Sequence, residues 1–483
     1  MFKGNELIHF AIIAVSGRGK GNVLKEMIFE YQKALITHFR LNKNLDRWSR
    51  LGIILFDDAG EYVKCLKPRD WGMDLGMLVL RFLQEENECP PQIHLVDVAR
   101  RRIESNPRIE DDYRFVDIQN LKIPLEYIPL EESLRSLEGG RGYGLVLRYL
   151  RHYYTEVSVA ARPPEFDGYR FCLEFINWFI SSPFPFPAGR DQFNYFEASY
   201  NTAQREVVAF LLNNQNYLGL QYDYQNESFS YIPDANNNPI TQTITDDGNN
   251  IVRTTLMDDY NLLSLAVHCA DQGETLIIDE SPLEPSVKLL IQRILLVHII
   301  TTRENRTFHA AITPCLFIIE EATALMRGKE SKQLELFARM QVRARKFGVG
   351  IGLVLQDINR LDPSLLTQLG WMIALGLPVN SMRNMLFKNV PAELGSFNDY
   401  LKYADIGMAI GFQQLIGNNL PLPIKINHYE KMVKDTLWSK DYWANGEFDE
   451  ETQDSFREIA RTLEVPEEVL DELLRKEEVE NNR

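Results

Sequence analysis

Six short apolar runs punctuate the chain, each closed by glycine, proline or a polar residue: Phe10–Val15, Gly52–Phe56, Thr275–Ile278, Leu316–Ile319, Gly350–Leu355 and Trp371–Leu377. Runs of this length, rich in β-branched residues, predict strands buried on both faces. Between them apolar residues recur at helical spacing, over Asn22–Phe39, Pro285–Thr302 and Lys332–Arg345. Buried strands alternating with amphipathic helices predict an α/β fold, a mainly parallel sheet with helices on both faces.

The alternation breaks off after about residue 65 and resumes near 256. Leu75–Gln84, Gly144–Tyr154, Tyr169–Ile180 and Ala198–Leu212 carry helical patterns, so 66–255 reads as a mainly helical insertion. From Asn213 to Asn250 the chain is rich in Asn, Gln, Tyr and Thr. There Tyr222/Tyr224 and Phe229/Tyr231 alternate around Gln225–Ser228, and a second turn falls at Asp246–Asn250, which predicts two surface hairpins. Residues 1–65 and 256–430 are then the two parts of one core, and 431–483 an acidic, helical C-terminal tail. Residues 447–483 hold 14 acidic and 5 basic side chains, which reads as a solvated face. The apolar Phe456, Ile459, Leu463, Val465, Val469, Leu470, Leu473 and Leu474 keep a helical rhythm, with a turn at Val465–Pro466.

Composition narrows the function. With 45% hydrophobic residues in 483, the chain can bury a sizeable core. Its 52 Lys and Arg against 68 Asp and Glu give a net charge of −16. That balance argues against a surface that coats nucleic acid throughout, and confines basic groups to a local patch such as the lining of a ring. Cys65, Cys89, Cys172, Cys269 and Cys315 lie far apart with no CxxC pair. Neither a disulfide framework nor a zinc ribbon is readable, which fits a reducing compartment. Glu6 and His9 interrupt the approach to the short Phe10–Val15 run, so it does not read as a signal peptide. No stretch reaches the roughly 18 apolar residues of a spanning helix. A soluble, cytoplasmic protein without a membrane partner is expected.

Four segments carry candidate chemistry. Ala14-Val15-Ser16-Gly17-Arg18-Gly19-Lys20-Gly21 follows a buried strand and opens a helix, the context of a phosphate-binding P-loop. Small residues let the backbone N–H groups nest around a phosphate, the helix N-terminus adds partial positive charge, and a lysine reaches the β- and γ-oxygens. Ser16, Gly17, Arg18, Gly19, Lys20, Gly21 and Asn22 are thus candidate nucleotide-binding residues. Ala14 stands where the first glycine is usual, and Gly21 where a Ser or Thr would hold Mg²⁺. Leu316-Phe317-Ile318-Ile319-Glu320-Glu321 ends a strand in paired carboxylates, a Walker B arrangement. Glu320 would contact Mg²⁺ or its water, and Glu321 would orient and deprotonate the attacking water. Thr275-Leu276-Ile277-Ile278-Asp279-Glu280 has the same form, so spacing alone leaves two candidates. Asp57-Asp58-Ala59-Gly60-Glu61-Tyr62 follows another strand, with Asp57 a second candidate metal ligand. Its Asp-x-x-Gly pattern also occurs in GTPases, but the near match to a guanine-reading motif, Asn42 to Asp46, lies upstream rather than downstream. Finally, Arg343-Ala344-Arg345-Lys346-Phe347-Gly348 leads into a strand closed by Gln356. Arg345 would stabilise transferred phosphate charge, in cis or from a neighbouring subunit, and Gln356 would sense the γ-phosphate.

In this order the motifs resemble the HerA-type hexameric P-loop ATPases of the HerA–FtsK superfamily, which are DNA-translocating ATPases and helicases. The resemblance spans residues 8–65 and 270–427. It takes in Asp57 to Tyr62, the Glu320-Glu321-Ala322 Walker B, Arg345 to Gln356, Asp362-Pro363, Leu365-Leu366, and the segment from Ile406-Gly407 to Pro423-Ile424. It implies a RecA-like core, with Thr275–Asp279 as a non-catalytic strand. It also implies a homo-hexameric ring binding ATP and Mg²⁺ between neighbours, and duplex DNA in the channel. Arg339, Arg343 and Lys346 are candidate channel or interface cations. A nuclease or other effector partner, in DNA end processing or phage defence, is implied as well. The family's N-terminal β-barrel has no counterpart ahead of the P-loop. The departures at Ala14 and Gly21 keep a second reading, a nucleotide-binding scaffold that assembles a ring but hydrolyses ATP poorly. Gly139 to Gly144 reads as a flexible loop, and His268, His298 and His309, which lack ligand spacing, as core or surface histidines.

Overall fold

The apolar runs pair in parallel and in register. The computed structural model describes residues 2–3, 6–7, 9–41, 51–58, 62, 72–82, 93–97, 121–128, 141–153, 172–182, 191–234, 237–245, 251–281, 283–306, 313–321, 343–360, 369–389, 397–413, 421–439, 450–462, 465 and 467–475. In chain order the strands are β1 (Phe2–Lys3), β2 (Glu6–Leu7), β3 (Phe10–Ile13), β4 (Gly52–Asp57), β5 (Ile93–Asp97), β6 (Leu220–Asp223), β7 (Ser228–Tyr231) and β8 (Thr241–Thr245). They continue with β9 (Ile251–Leu256), β10 (Thr275–Asp279), β11 (Cys315–Ile319), β12 (Val349–Leu355), β13 (Trp371–Leu375), β14 (Met408–Gln413) and β15 (Leu422–Lys425). Among the described residues one sheet runs β15-β14-β13-β3-β12-β11-β4-β10-β5. From β13 to β5 every pairing is parallel; β14 and β15 are antiparallel additions at one edge. Every residue of β3, β4, β10, β11 and β12 is buried, which is why these strands read as unbroken apolar runs.

Two compact units divide the chain, Met1–Val116 with Ala266–Arg483, and Asp117–Leu265. In the first, the helix that follows β3, α1 (Lys20–Leu41), packs Val23, Leu24, Ile28 and Phe29 into one cluster with Ile12, Ile53, Leu55, Ile318 and Val354 of the sheet. α2 (Met73–Phe82) joins this cluster, where Tyr429 and Phe29 crowd Gly76 so closely that a Cβ would meet the Tyr429 hydroxyl at 2.3 Å. So do the C-terminal helices Tyr429–Leu437, Glu450–Thr462 and Glu467–Leu474, through Val433, Phe456, Ala460, Val469 and Leu473. The acidic tail is thus an amphipathic part of the core: its apolar stripe is inside, and its carboxylates form the wet side. At the other end of the sheet, Gly52 lets the helix Leu262–Gln272 approach, since a Cβ would meet the Ala270 carbonyl at 2.7 Å.

The stretch expected as a helical insertion therefore begins differently. It gives the first unit a helix, α2, and an edge strand, β5, before the second unit starts at Asp117. Ile93-His94-Leu95-Val96-Asp97 is short, polar at two positions and preceded by Pro90-Pro91, so it carries no apolar run to announce it. Within the second unit, the helices Arg141–His152, Leu173–Ser181 and Asp191–Asn213 share an aromatic core in which Phe175 stacks on Phe179 (5.6 Å) and Tyr149 lies 4.7 Å from Tyr200. The β6–β7 hairpin is clamped on that core. Asn177 donates to the Phe229 carbonyl (2.9 Å) and accepts from its amide (2.8 Å). The β8–β9 hairpin is tied in by the Thr254 amide, which donates to Glu174 (2.7 Å). Among the described residues no helix is long and apolar enough to cross a membrane.

Candidate nucleotide site

Strand order decides which loops meet. The neighbours of β3 are β12 and β13, with β11 and then β4 beyond β12. Because these strands are parallel, their carboxyl ends share one edge, where ligands of open α/β sheets bind. The loop after β3 lies there beside Gln356 after β12, Glu320 and Glu321 after β11, Asp57 at the end of β4 and Asp58 after it.

The loop itself is fixed by two glycines. Gly17 and Gly19 have φ of +76° and +88°, a region side chains disfavour, although nothing crowds a Cβ at Gly17. Conformation, not space, requires glycine here. Ala14, fully buried, donates its amide to the Leu355 carbonyl (3.0 Å), so the loop leaves the sheet from a fixed point. α1 starts at Lys20, which is 8% exposed, and its Nζ lies 4.0 Å from Glu321 Oε1. Ser16 Oγ donates to Gln356 Oε1 (2.8 Å). Glu321 has φ +51°, rare for a residue with a side chain. That left-handed turn directly after β11 carries its carboxylate to the lysine.

Glu320 is held from the β4 side. Its Oε2 accepts from the Asp58 amide (3.2 Å), its Oε1 from the Tyr62 hydroxyl (3.2 Å), and its own amide donates to the Phe56 carbonyl (3.3 Å). Tyr62, fully buried, is a positioning group that the sequence pattern contains but does not explain. Asp57 is 1% exposed and its Oδ2 accepts from the Tyr62 amide (3.0 Å), so it shapes the loop that presents Tyr62. Asp58 pairs with Lys288. Next to them Glu280 is fully buried, with Oε2 accepting from Gln292 (2.6 Å); burial raises its carboxyl well above the usual range. Glu280 ends the rival acidic strand, and β10 is separated from β11 by β4.

A family model described as the central domain of helicase HerA matches residues 3–171. Over that segment the chain is similar to HerA. The matched segment holds the P-loop and the Asp57 to Tyr62 loop; β11 and β12 lie beyond it. Among solved structures the fold is similar to VirB4 of Thermoanaerobacter pseudethanolicus, at 12% identity over 87% of this chain and 89% of that one, with a TM-score of 0.47. It is similar also to the bacterial conjugative coupling protein TrwBdeltaN70 in unbound form, at 12% identity, 87% and 84% coverage and a TM-score of 0.42. A third likeness is to the plasmid coupling protein TrwB with a non-hydrolysable ATP analogue, at 12%, 88% and 86%, and 0.41. No curated protein matches the chain.

Several expected site residues have other engagements. Arg345 precedes β12, and its carbonyl accepts from the Gly348 amide (3.1 Å), whereas Gln356 follows the strand. The intervening strand of seven residues spans about 23 Å. Arg345 is therefore at the opposite edge of the sheet from Lys20, and the expectation that it serves its own subunit's phosphate is corrected. Arg343 pairs with Glu304 (2.6 Å) at that edge, and Arg339 lies outside the described residues. Arg18 donates to the Ala404 carbonyl (2.8 Å), packed over Gly376. The Asn22 side chain donates to the Asn427 carbonyl (2.6 Å) and accepts from the Tyr429 amide (2.8 Å). It fastens the last helices to the P-loop helix, a role no spacing in sequence could signal. For a nucleotide the residues fit: a glycine-shaped loop, a helix N-terminus and a lysine. For magnesium the donor set is thin, since Gly21 has no hydroxyl and Asp57 is turned to the Tyr62 amide. Glu320 is the remaining carboxylate in place.

Proposed function

We propose that the chain is a ring-forming, cytoplasmic ATPase that couples ATP binding and hydrolysis to movement of duplex DNA, with a nuclease or other effector as partner. The observation that carries the reading is the meeting of Lys20, Glu321 and Gln356 at one sheet edge, beside a loop shaped for phosphate. The Gly17 and Gly19 turns and the start of α1 would hold the phosphates, with Lys20 neutralising the terminal oxygens. Glu321 would orient a water and take its proton, and Gln356 would report whether the γ-phosphate is present. Glu320 would hold Mg²⁺, which would supply charge neutralisation to the phosphates. Arg345 has the right chemistry but the wrong edge for its own site, so it would act on a neighbouring copy, as a ring allows. The net charge of −16 leaves DNA contact to the assembled channel, where Arg343 and Lys346 are candidates. DNA end processing and phage defence are the settings that fit such a motor with an effector.

Gly21 and the buried Asp57 favour the second reading, a ring scaffold that binds nucleotide and turns it over poorly. One experiment separates the two: native mass and ATP turnover, with and without duplex DNA, for the natural chain and for Glu321→Gln. DNA-stimulated turnover that Glu321→Gln abolishes supports the motor. Nucleotide binding without turnover in either protein supports the scaffold, and a monomer that neither binds nor hydrolyses ATP defeats both.

A further inference from the structure

At the amino edge of the sheet, away from the P-loop, three metal-ligating side chains converge, with His268 beside one of them. His94 lies on β5 opposite Leu276 of β10; Cys269 is in the last turn of the helix Leu262–Gln272; Glu274 directly precedes β10. The Glu274 amide donates to the Cys269 carbonyl (2.9 Å) across Gly273, whose φ is +75°. This tight turn aims the thiol and the carboxylate at one point. One ligand atom from each of His94, Cys269 and Glu274 lies within 4.8 Å of the others. His94 Nε2 is 2.6 Å and His268 Nε2 3.7 Å from Glu274 Oε2. In sequence His94 is far from the other three, so no ligand spacing shows; the β5–β10 pairing creates the cluster.

We propose that His94, Cys269 and Glu274 form a structural zinc site, which His268, beside Glu274, completes by turning inward. The donor set of two imidazoles, a thiolate and a carboxylate suits zinc rather than the oxygen-seeking magnesium of the nucleotide site. Zinc holds such ligands at about 2.0–2.3 Å, which puts ligand atoms roughly 3.3–3.7 Å apart in a tetrahedron. His94, Cys269 and Glu274 come within that reach once the His94–Glu274 contact opens and the wider separations close by roughly an ångström. His94 is 2% exposed and Cys269 fully buried, while His268 closes the site from the solvent side at 55% side-chain exposure. Zinc would pin β5, which among the described residues pairs with β10 alone, to β10 and to the helix before it.

The test uses the full chain, stripped with chelator and titrated with Co²⁺ and then Zn²⁺ in the absence of nucleotide. Metal analysis of the untreated protein should give about one zinc per chain, the stoichiometry of a closed site. Cobalt should bring up thiolate-to-metal charge transfer and tetrahedral visible bands, which zinc displaces and Cys269→Ser abolishes. Cobalt at the P-loop, with oxygen ligands, gives no such charge transfer. Should Cys269→Ser fail to fold, His268→Ala changes an exposed side chain, and it should lose zinc to a weaker chelator than the natural chain does. Zinc should also raise the melting temperature of the stripped natural chain. No charge transfer in the natural chain, or the same bands in Cys269→Ser, would overturn the proposal and leave a buried histidine–glutamate pair only.

Discussion

Glu321 combines backbone strain with the chemistry proposed for it, and two substitutions pull these apart. At φ +51° a residue with a side chain stores about 1–2 kcal/mol that glycine does not. Its partner Lys20 is 4.0 Å away, with side-chain exposures of 9% and 21%, an ion pair at the limit of contact worth at most about 1 kcal/mol. Glu321→Gln removes the charge and keeps the strain, so stability should fall by up to about 1 kcal/mol. Glu321→Gly loses the same pair but releases the strain, and should be about 1 kcal/mol more stable than Glu321→Gln. Both should bind ATP within several-fold of the natural chain, and both should lose turnover by on the order of 10²-fold, the loss expected for general-base assistance. Urea midpoints, binding of a fluorescent ATP analogue and steady-state phosphate release measure the three quantities. Natural turnover in Glu321→Gly would refute the base assignment. Equal midpoints for the Gly and Gln variants would refute the strain argument.

Gly21 is helical, unlike Gly17 and Gly19, so Gly21→Ser should fold; turnover measured against Mg²⁺ should rise and saturate at lower metal, and unchanged curves would show that position 21 does not face the metal. Burial holds Glu280 protonated in the folded chain while the unfolded chain releases that proton above its ordinary pKa of 4.5. Its contribution to stability is therefore complete below that pH and drains as pH rises toward the folded value. Glu280→Gln should remove this slope, so that its denaturation midpoint exceeds the natural chain's at about pH 8 but not at about pH 5; parallel profiles would count against a protonated Glu280. Arg303 is 3% exposed and donates to the carbonyls of Ala270 (2.9 Å), Phe347 and Gly348 (both 3.2 Å) as well as to Asp271 (3.1 Å). Arg303→Met should cost about 3 kcal/mol, near the lower end for breaking a buried pair because Arg306 still serves Asp271. A urea midpoint close to the natural one would show that these carbonyls find other donors.

Much of the architecture is written locally. Strands buried on both faces must be apolar throughout, and the helices that cover them must be amphipathic, so β3, β4, β10, β11, β12 and β13 show in the pattern. The P-loop shows too, because a left-handed turn needs glycine at 17 and 19 and a phosphate needs a cation at a helix start. β5 escapes, since a short edge strand with His94 and Asp97 carries no such constraint. The tail's rhythm reads as helix, but which apolar face accepts it does not.

Strand order, by contrast, has no local code. Two strands end in paired acids, Asp279-Glu280 and Glu320-Glu321, and their spacing does not rank them. The sheet does: one strand separates β11 from β3, whereas three separate β10 from it, and only the nearer pair reaches Lys20. Arg345, ahead of β12, falls at the amino edge, away from Lys20 after β3. Ser16 and Gln356 bond across 340 positions, Asn22 and Asn427 across 405. Periodicity in a sequence records what each residue must bury. Which strand tips become neighbours follows from how the buried faces stack together, and that was decided only by the tertiary structure.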